Sequence, residues 1–209
     1  NRRPPFRISM NDCNVYFSVA TKDHWKTTMV RDVAGVYEDS TLFHHAMKVE
    51  YNYDIKEVAD DGDCLFMAFA HQLYGDDSLH AIMREKCCDY MELHSEKFSE
   101  FIDTDNHYRD FAHYLNTMRT LRTWGDNLEI TALSELYLRR VEVYAQETTP
   151  RITLSDSVNY NNELPPIRVS FKNGNHYNSV VAENHNDTIL NSQQVGEFED
   201  AVLGALSSL

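Results

Sequence analysis

Apolar residues near the middle of the chain recur with a helical period. After Asp60-Asp61-Gly62-Asp63-Cys64, the residues Phe66, Phe69, Ala70 and Leu73 fall at i, i+3, i+4 and i+7, which predicts a helix with one buried face. Gly75 supplies a left-handed stop, and three acidic residues stand just before the first turn. Further on, Ser78 is expected to cap a helix with Leu79, Ile82, Met83, Cys87, Tyr90 and Met91 inward. A helix after Ser95 uses Phe98, Phe101 and Ile102, and another uses Tyr108, Phe111, Ala112 and Leu115. Asp126 with Glu129 has the form of a capping box, opening a helix whose face is Leu128, Ala132, Leu133 and Leu136.

The period then changes to two. Val141–Tyr144, Ile152–Leu154, Ile167–Phe171 and Asn178–Val181 read as strands, with a polar surface loop over 146–166. Several helices followed by several strands predict an α+β domain. The region before Cys64 is less regular. Val15–Val19 reads as a short strand, Met29–Met47 as helical pieces around Ser40-Thr41, and Tyr51–Val58 as a loose alternation. Phe198–Leu209 forms a short amphipathic segment after a polar stretch.

Charge narrows the partners. With 19 Lys and Arg against 33 Asp and Glu, the 209 residues carry a net −14, which argues against nucleic acid and anionic membrane surfaces. A basic partner suits such a chain better. Four cysteines, Cys13, Cys64, Cys87 and Cys88, show no C-x-x-C spacing, so neither a zinc cluster nor any other metal or cofactor is expected. Free thiols and the lack of a long apolar run point to an intracellular protein, cytoplasmic or nuclear. The start at Asn1 rather than Met suggests a fragment.

Cys64 has two readings. It is a small core residue, as most free cysteines are, or a nucleophile at a helix N-terminus, where unpaired N–H groups and the dipole favour thiolate. The second reading needs a base, and Phe171-Lys172-Asn173-Gly174-Asn175-His176 supplies one. Asn-Gly between two β-like runs predicts a hairpin that begins its return at His176. His176 and Asn178 then share a face, so the amide oxygen is expected to hold Nδ1–H and leave Nε2 to take the thiol proton. His71 lies two turns from Cys64, about 10 Å along the helix, too far to serve. His107, His113 and His185 lack an orienting neighbour, and the side chains of His44 and His45 diverge with no third ligand beside them.

Asp61-Gly62-Asp63-Cys64-Leu65-Phe66, Trp124-Gly125…Glu129-Ile130 and His176-Tyr177-Asn178-Ser179-Val180, in that order, resemble the OTU (ovarian tumour) cysteine protease family over roughly residues 50–182. Tyr74-Gly75-Asp76, Val141–Tyr144 and Pro166–Ser170 are most similar to its DUBA-like deubiquitinases. The resemblance implies a papain-like fold, a small central, mostly antiparallel sheet flanked by helices. It implies an N-terminal extension over 1–45, a catalytic domain over 46–183 and a tail over 184–209.

It further implies Cys64 as nucleophile, His176 as general base, Asn178 as the residue orienting it, and Asp61 as the acidic position of the cysteine loop. Asp63 departs from the family pattern, and a carboxylate there is expected to oppose thiolate formation. The implied activity is hydrolysis of isopeptide bonds after the C-terminal glycine of ubiquitin, with backbone N–H groups around Gly62–Cys64 holding the oxyanion. The implied partners are ubiquitin, polyubiquitin chains and ubiquitinated proteins, contacted through the 147–166 loop and the Lys172–Asn175 turn. Glu199-Asp200…Ala205…Ser208 resembles a ubiquitin-interacting motif with its Ala-to-Ser spacing one short. Two alternatives stand beside this reading: an OTU module that binds ubiquitin without cleaving it, and a thiol hydrolase acting on another acyl donor.

Overall fold

A computed structural model describes residues 40–102, 108–153, 164–183 and 189–190. The strand expected at Val15–Val19, the amphipathic segment Phe198–Leu209 and the motif-like Glu199–Ser208 lie outside the described residues. The elements run α1 (Ser40–Tyr51), β1 (Asp54–Lys56), α2 (Cys64–Tyr74), α3 (His80–Leu93), α4 (Ser95–Phe98), α5 (Phe111–Met118), α6 (Asn127–Leu136), β2 (Val141–Tyr144), β3 (Arg151–Thr153), β4 (Ile167–Lys172) and β5 (His176–Val181). This is the expected α+β architecture. The five strands form one sheet in the order β1-β5-β4-β2-β3, and only the β2–β4 pairing is parallel.

Helix α2 runs along the sheet as the centre of the core. Leu65, Phe66, Phe69, Ala70 and Leu73 are fully buried, and Gly75 ends the helix at φ 73° with its N–H on the His71 carbonyl. Helices α3, α5 and α6 close the same side through Met83, Cys87, Met91, Leu115, Met118, Ile130 and Leu133. The other side of the sheet is covered by α1, which lays Phe43 and Met47 on Tyr144 and Val180. Both faces of β5 are therefore buried, unlike an ordinary half-wet antiparallel strand. Helix α1 runs across residues 45 and 46. Past β5, Leu190 rejoins the main core and donates its N–H to the Leu73 carbonyl at 2.7 Å.

Three local expectations change. Asp76, not Ser78, starts the α3 region: its carboxylate accepts the Ser78 N–H at 2.9 Å, setting a 3-10 turn over Asp77–Leu79 before α3 begins at His80. A carboxylate two residues earlier makes the tighter Asx-type turn, and Ser78 becomes the donor. Ile82 faces solvent, because Met83, Arg84, Cys87 and Met91 occupy the inner face. Ala112 is exposed as well, and α5 turns Tyr114, Leu115 and Met118 inward instead. The capping box at Asp126 and Glu129 forms, with the Asp126 N–H 2.8 Å from Glu129 Oε2. Glu129 is wholly buried and also accepts the Tyr114 hydroxyl; burial pushes its carboxyl above the usual range.

Candidate active site

Cys64 is the first residue of α2, delivered by a loop that only glycine permits at residue 62. Gly62 has φ +89°, and a Cβ there would stand 2.2 Å from the Arg122 carbonyl oxygen. Asp61 folds the loop locally: its Oδ1 accepts the Asp63 N–H at 3.1 Å. That bond withdraws the Asp63 N–H from the donors expected around an oxyanion. Asp61 makes the turn and does not reach the imidazole.

Asp63 is not the adverse charge expected beside the sulfur. It is buried and paired with the fully buried Arg84, whose guanidinium also donates to the carbonyls of Met118 (2.8 Å), Thr123 (2.7 Å) and Gly62 (3.3 Å). Asp63 Oδ1 also accepts the Arg122 N–H at 3.0 Å. Arg84 covers the Phe66 ring at 4.0 Å, so one cation ties the cysteine loop, α3 and the loop after α5 to the helix that Cys64 opens. The charges that do oppose ionisation of Cys64 are those of Asp60 and Asp61.

The helix terminus does not yield a free thiolate, contrary to expectation. Burial raises the Cys64 thiol above its ordinary value, and this outweighs the N–H groups of Tyr177 and Leu65 that pull it down. The sulfur is fully buried and accepts the Tyr177 N–H at 3.5 Å, which sets it against the strand residue next to His176. Cys87 and Cys88 lie deeper in α3, free and packed; burial pushes Cys87 well up and Cys88 to about 12. They have no ionisable role at neutral pH.

The hairpin forms with Asn173 and Gly174 at φ 53° and 76°, and His176 opens β5 opposite Lys172. His176 and Asn178 meet as expected, but through the other nitrogen. Nε2 lies 2.9 Å from Asn178 Oδ1, and Nδ1 has no hydrogen-bond partner among the described residues. Two residues of strand separate the Cα atoms by about 6.6 Å, a span the far ring nitrogen reaches better than the near one.

The tautomer follows from a second contact. The Val58 N–H donates to the same Asn178 Oδ1 at 3.0 Å, so that atom is an acceptor and Nε2 must carry the proton. Nδ1 is then the basic atom, 3.5 Å from the exposed Asp60 carboxylate.

Sequence reasoning missed Arg84, Asp60, and the N–H groups of Val58 and Tyr177. Arg84 is a charged residue that the apolar pattern of α3 does not mark as interior, and backbone donors leave no trace in residue type. His71 bonds Ser179 Oγ at 2.8 Å, and Gln72 bonds Ser179 Oγ, the Val180 carbonyl and the Arg168 N–H. The polar side of α2 is thus pinned to β4 and β5, which fixes the cysteine helix against the histidine strand.

Comparison with known proteins agrees with this geometry. The family model of OTU-like cysteine proteases matches residues 59–177. The chain is 39% identical over 139 residues to the ovarian tumor domain-containing deubiquitinating enzyme 6 of Arabidopsis thaliana, covering 66% of this chain and 26% of that protein. It is 37% identical over 153 residues to OTU domain-containing protein 5 of Rattus norvegicus, covering 73% and 26%. It thus spans about a quarter of the length of these relatives. Among solved structures it superposes on the OTU domain of OTUD1 with a TM-score of 0.53 at 21% identity, over 68% of this chain and 99% of that one. It also superposes on the Hazara virus OTU bound to ubiquitin, with a TM-score of 0.51 at 15% identity over 63% and 82%. The chain belongs to the OTU family of cysteine proteases.

Proposed function

We propose that the chain is a thiol-dependent deubiquitinase that hydrolyses isopeptide bonds after the C-terminal glycine of ubiquitin. One observation carries the reading: a cysteine at a helix N-terminus whose sulfur takes the N–H of Tyr177, the residue directly after a histidine whose tautomer is fixed by a neighbouring amide. Relatives that bear the name deubiquitinating enzyme, and a structural neighbour solved with ubiquitin, supply the substrate class. Cys64 attacks the carbonyl, His176 Nδ1 takes the thiol proton and returns it to the leaving lysine amine, and water releases the thioester. The Cys64 N–H, in the unpaired first turn of α2, is the donor suited to the oxyanion. Asn178 keeps Nε2–H engaged, so the proton moves only through Nδ1.

Ubiquitin and its conjugates are the partners under this reading. A basic, extended tail fits an acidic approach, and Glu57, Asp60 and Asp61 stand on the loop that leads to Cys64. The test is a ubiquitin electrophile carrying a vinyl group at its C-terminus, run beside a panel of di-ubiquitins. A covalent adduct mapped to Cys64 together with chain cleavage is expected. Binding without an adduct would favour the non-cleaving module, and cleavage of unrelated peptides with ubiquitin chains untouched would favour another acyl donor.

Asp61 gives a prediction with a definite sign. Asp61→Asn keeps the Oδ1 that accepts the Asp63 N–H and removes a charge that raises the Cys64 thiol. The thiol therefore ionises at lower pH in the variant. The pH profile of Cys64 alkylation by iodoacetamide should move to lower pH, with the melting temperature close to the parent's. A profile that stays put or moves up contradicts the electrostatic account.

A further inference from the structure

Trp124-Gly125 takes no part in the chemistry above, yet both residues reach into it. We infer that Trp124-Gly125 is a positioning strut that sets the catalytic histidine relative to the cysteine helix. Two contacts converge on it, and a third carries them on to the sulfur. The Trp124 indole N–H donates to the Asn175 carbonyl at 2.9 Å, on the residue immediately before His176. The indole face stacks on the ring of Tyr177, immediately after His176, with centroids 6.1 Å apart and planes 26° apart. The backbone of Tyr177 in turn donates to the Cys64 sulfur. Trp124 therefore grips the chain on both sides of His176.

The other end of the strut bears on the nucleophile. A Cβ on Gly125 would stand 2.8 Å from Leu65 Cδ2 and 3.0 Å from Phe66 Cε2, the two residues that follow Cys64. Glycine lets the backbone lie directly on the first turn of α2. Gly125 thus references the loop to the cysteine helix, and Trp124 references the histidine hairpin to the loop. His176 itself sits at the mouth of a three-residue turn, and while Asn178 orients its ring, the turn by itself leaves the backbone that carries the ring free to shift. The indole bond supplies the missing constraint.

The inference rests on His176 acting as the base. Its test uses Trp124→Phe, which keeps an aromatic ring for Tyr177 while removing the N–H donor and the second ring, with Trp124→Ala as the larger truncation. Two readouts are taken: steady-state kinetics on a fluorogenic ubiquitin C-terminal amide, and the rate of Cys64 alkylation by chloroacetamide at fixed pH, mapped by peptide mass spectrometry. For Trp124→Phe, kcat should fall at least about tenfold while KM stays within about twofold, as a displaced base costs turnover rather than binding. Alkylation should slow in step, and the melting temperature should stay near the parent's. Parental kcat and alkylation in Trp124→Phe overturn the inference, and so does a loss of activity that only tracks loss of folded protein. If the parent chain leaves the ubiquitin amide uncut, the deubiquitinase reading falls instead, and slowed alkylation in Trp124→Phe still supports the strut.

Discussion

Cys64→Ala is expected to abolish cleavage of ubiquitin conjugates while the domain stays folded. Among the described residues no other thiol can substitute, because Cys87 and Cys88 are held in the core as protonated side chains. The stability cost has two parts. Losing one sulfur from a packed site costs on the order of 1 kcal/mol. The Tyr177 N–H also loses its acceptor inside the protein, a further penalty of about 1–3 kcal/mol. The variant should therefore unfold at measurably lower denaturant yet remain cooperative, as read by urea titration. Residual cleavage above the uncatalysed rate would remove Cys64 from the chemistry.

Arg84→Met should be the most destabilising single change, at about 3–5 kcal/mol, because it strands a buried carboxylate. Asp63 is buried, and Arg84 is its main counter-charge. The Met118 and Thr123 carbonyls lose their guanidinium donor as well. Met fills the space beside Phe66 without strain, so the loss is electrostatic rather than a cavity. Asp63→Asn added to Arg84→Met removes the stranded charge and should recover at least about 1 kcal/mol, measured as a double-mutant cycle in urea. Additive losses in the cycle would mean that Asp63 and Arg84 act independently, against the geometry.

Periodicity placed the helices and strands well where one face is buried, as on α2, whose stripe and glycine stop are both visible in the residues. Register errors arose where a competing cap or a second buried partner was at work. Ser78 yielded to Asp76 because the Asx-type turn starts earlier, and Ile82 was displaced from the core by Arg84, an arginine no hydrophobic pattern marks as interior. Cys64, His176 and Asn178 were legible because each has a local signature: a helix start, an Asn-Gly hairpin, and a shared strand face. Which histidine nitrogen is held was not legible, since it depends on side-chain reach and on the backbone N–H of Val58, a residue 120 positions earlier. The thiol's ionisation was misjudged for a related reason. The helix terminus can be read from sequence, but the depth at which it sits cannot, and burial dominates.

The position of α1 bears on what counts as a self-sufficient unit. The segment shared with the family begins at residue 59, beyond the end of α1. Without that helix, Tyr144 and Val180 would turn an oily strand surface to water. A fragment cut at the family boundary would thus present a sticky sheet to whatever protein it met, and its self-association would report missing cover rather than biology.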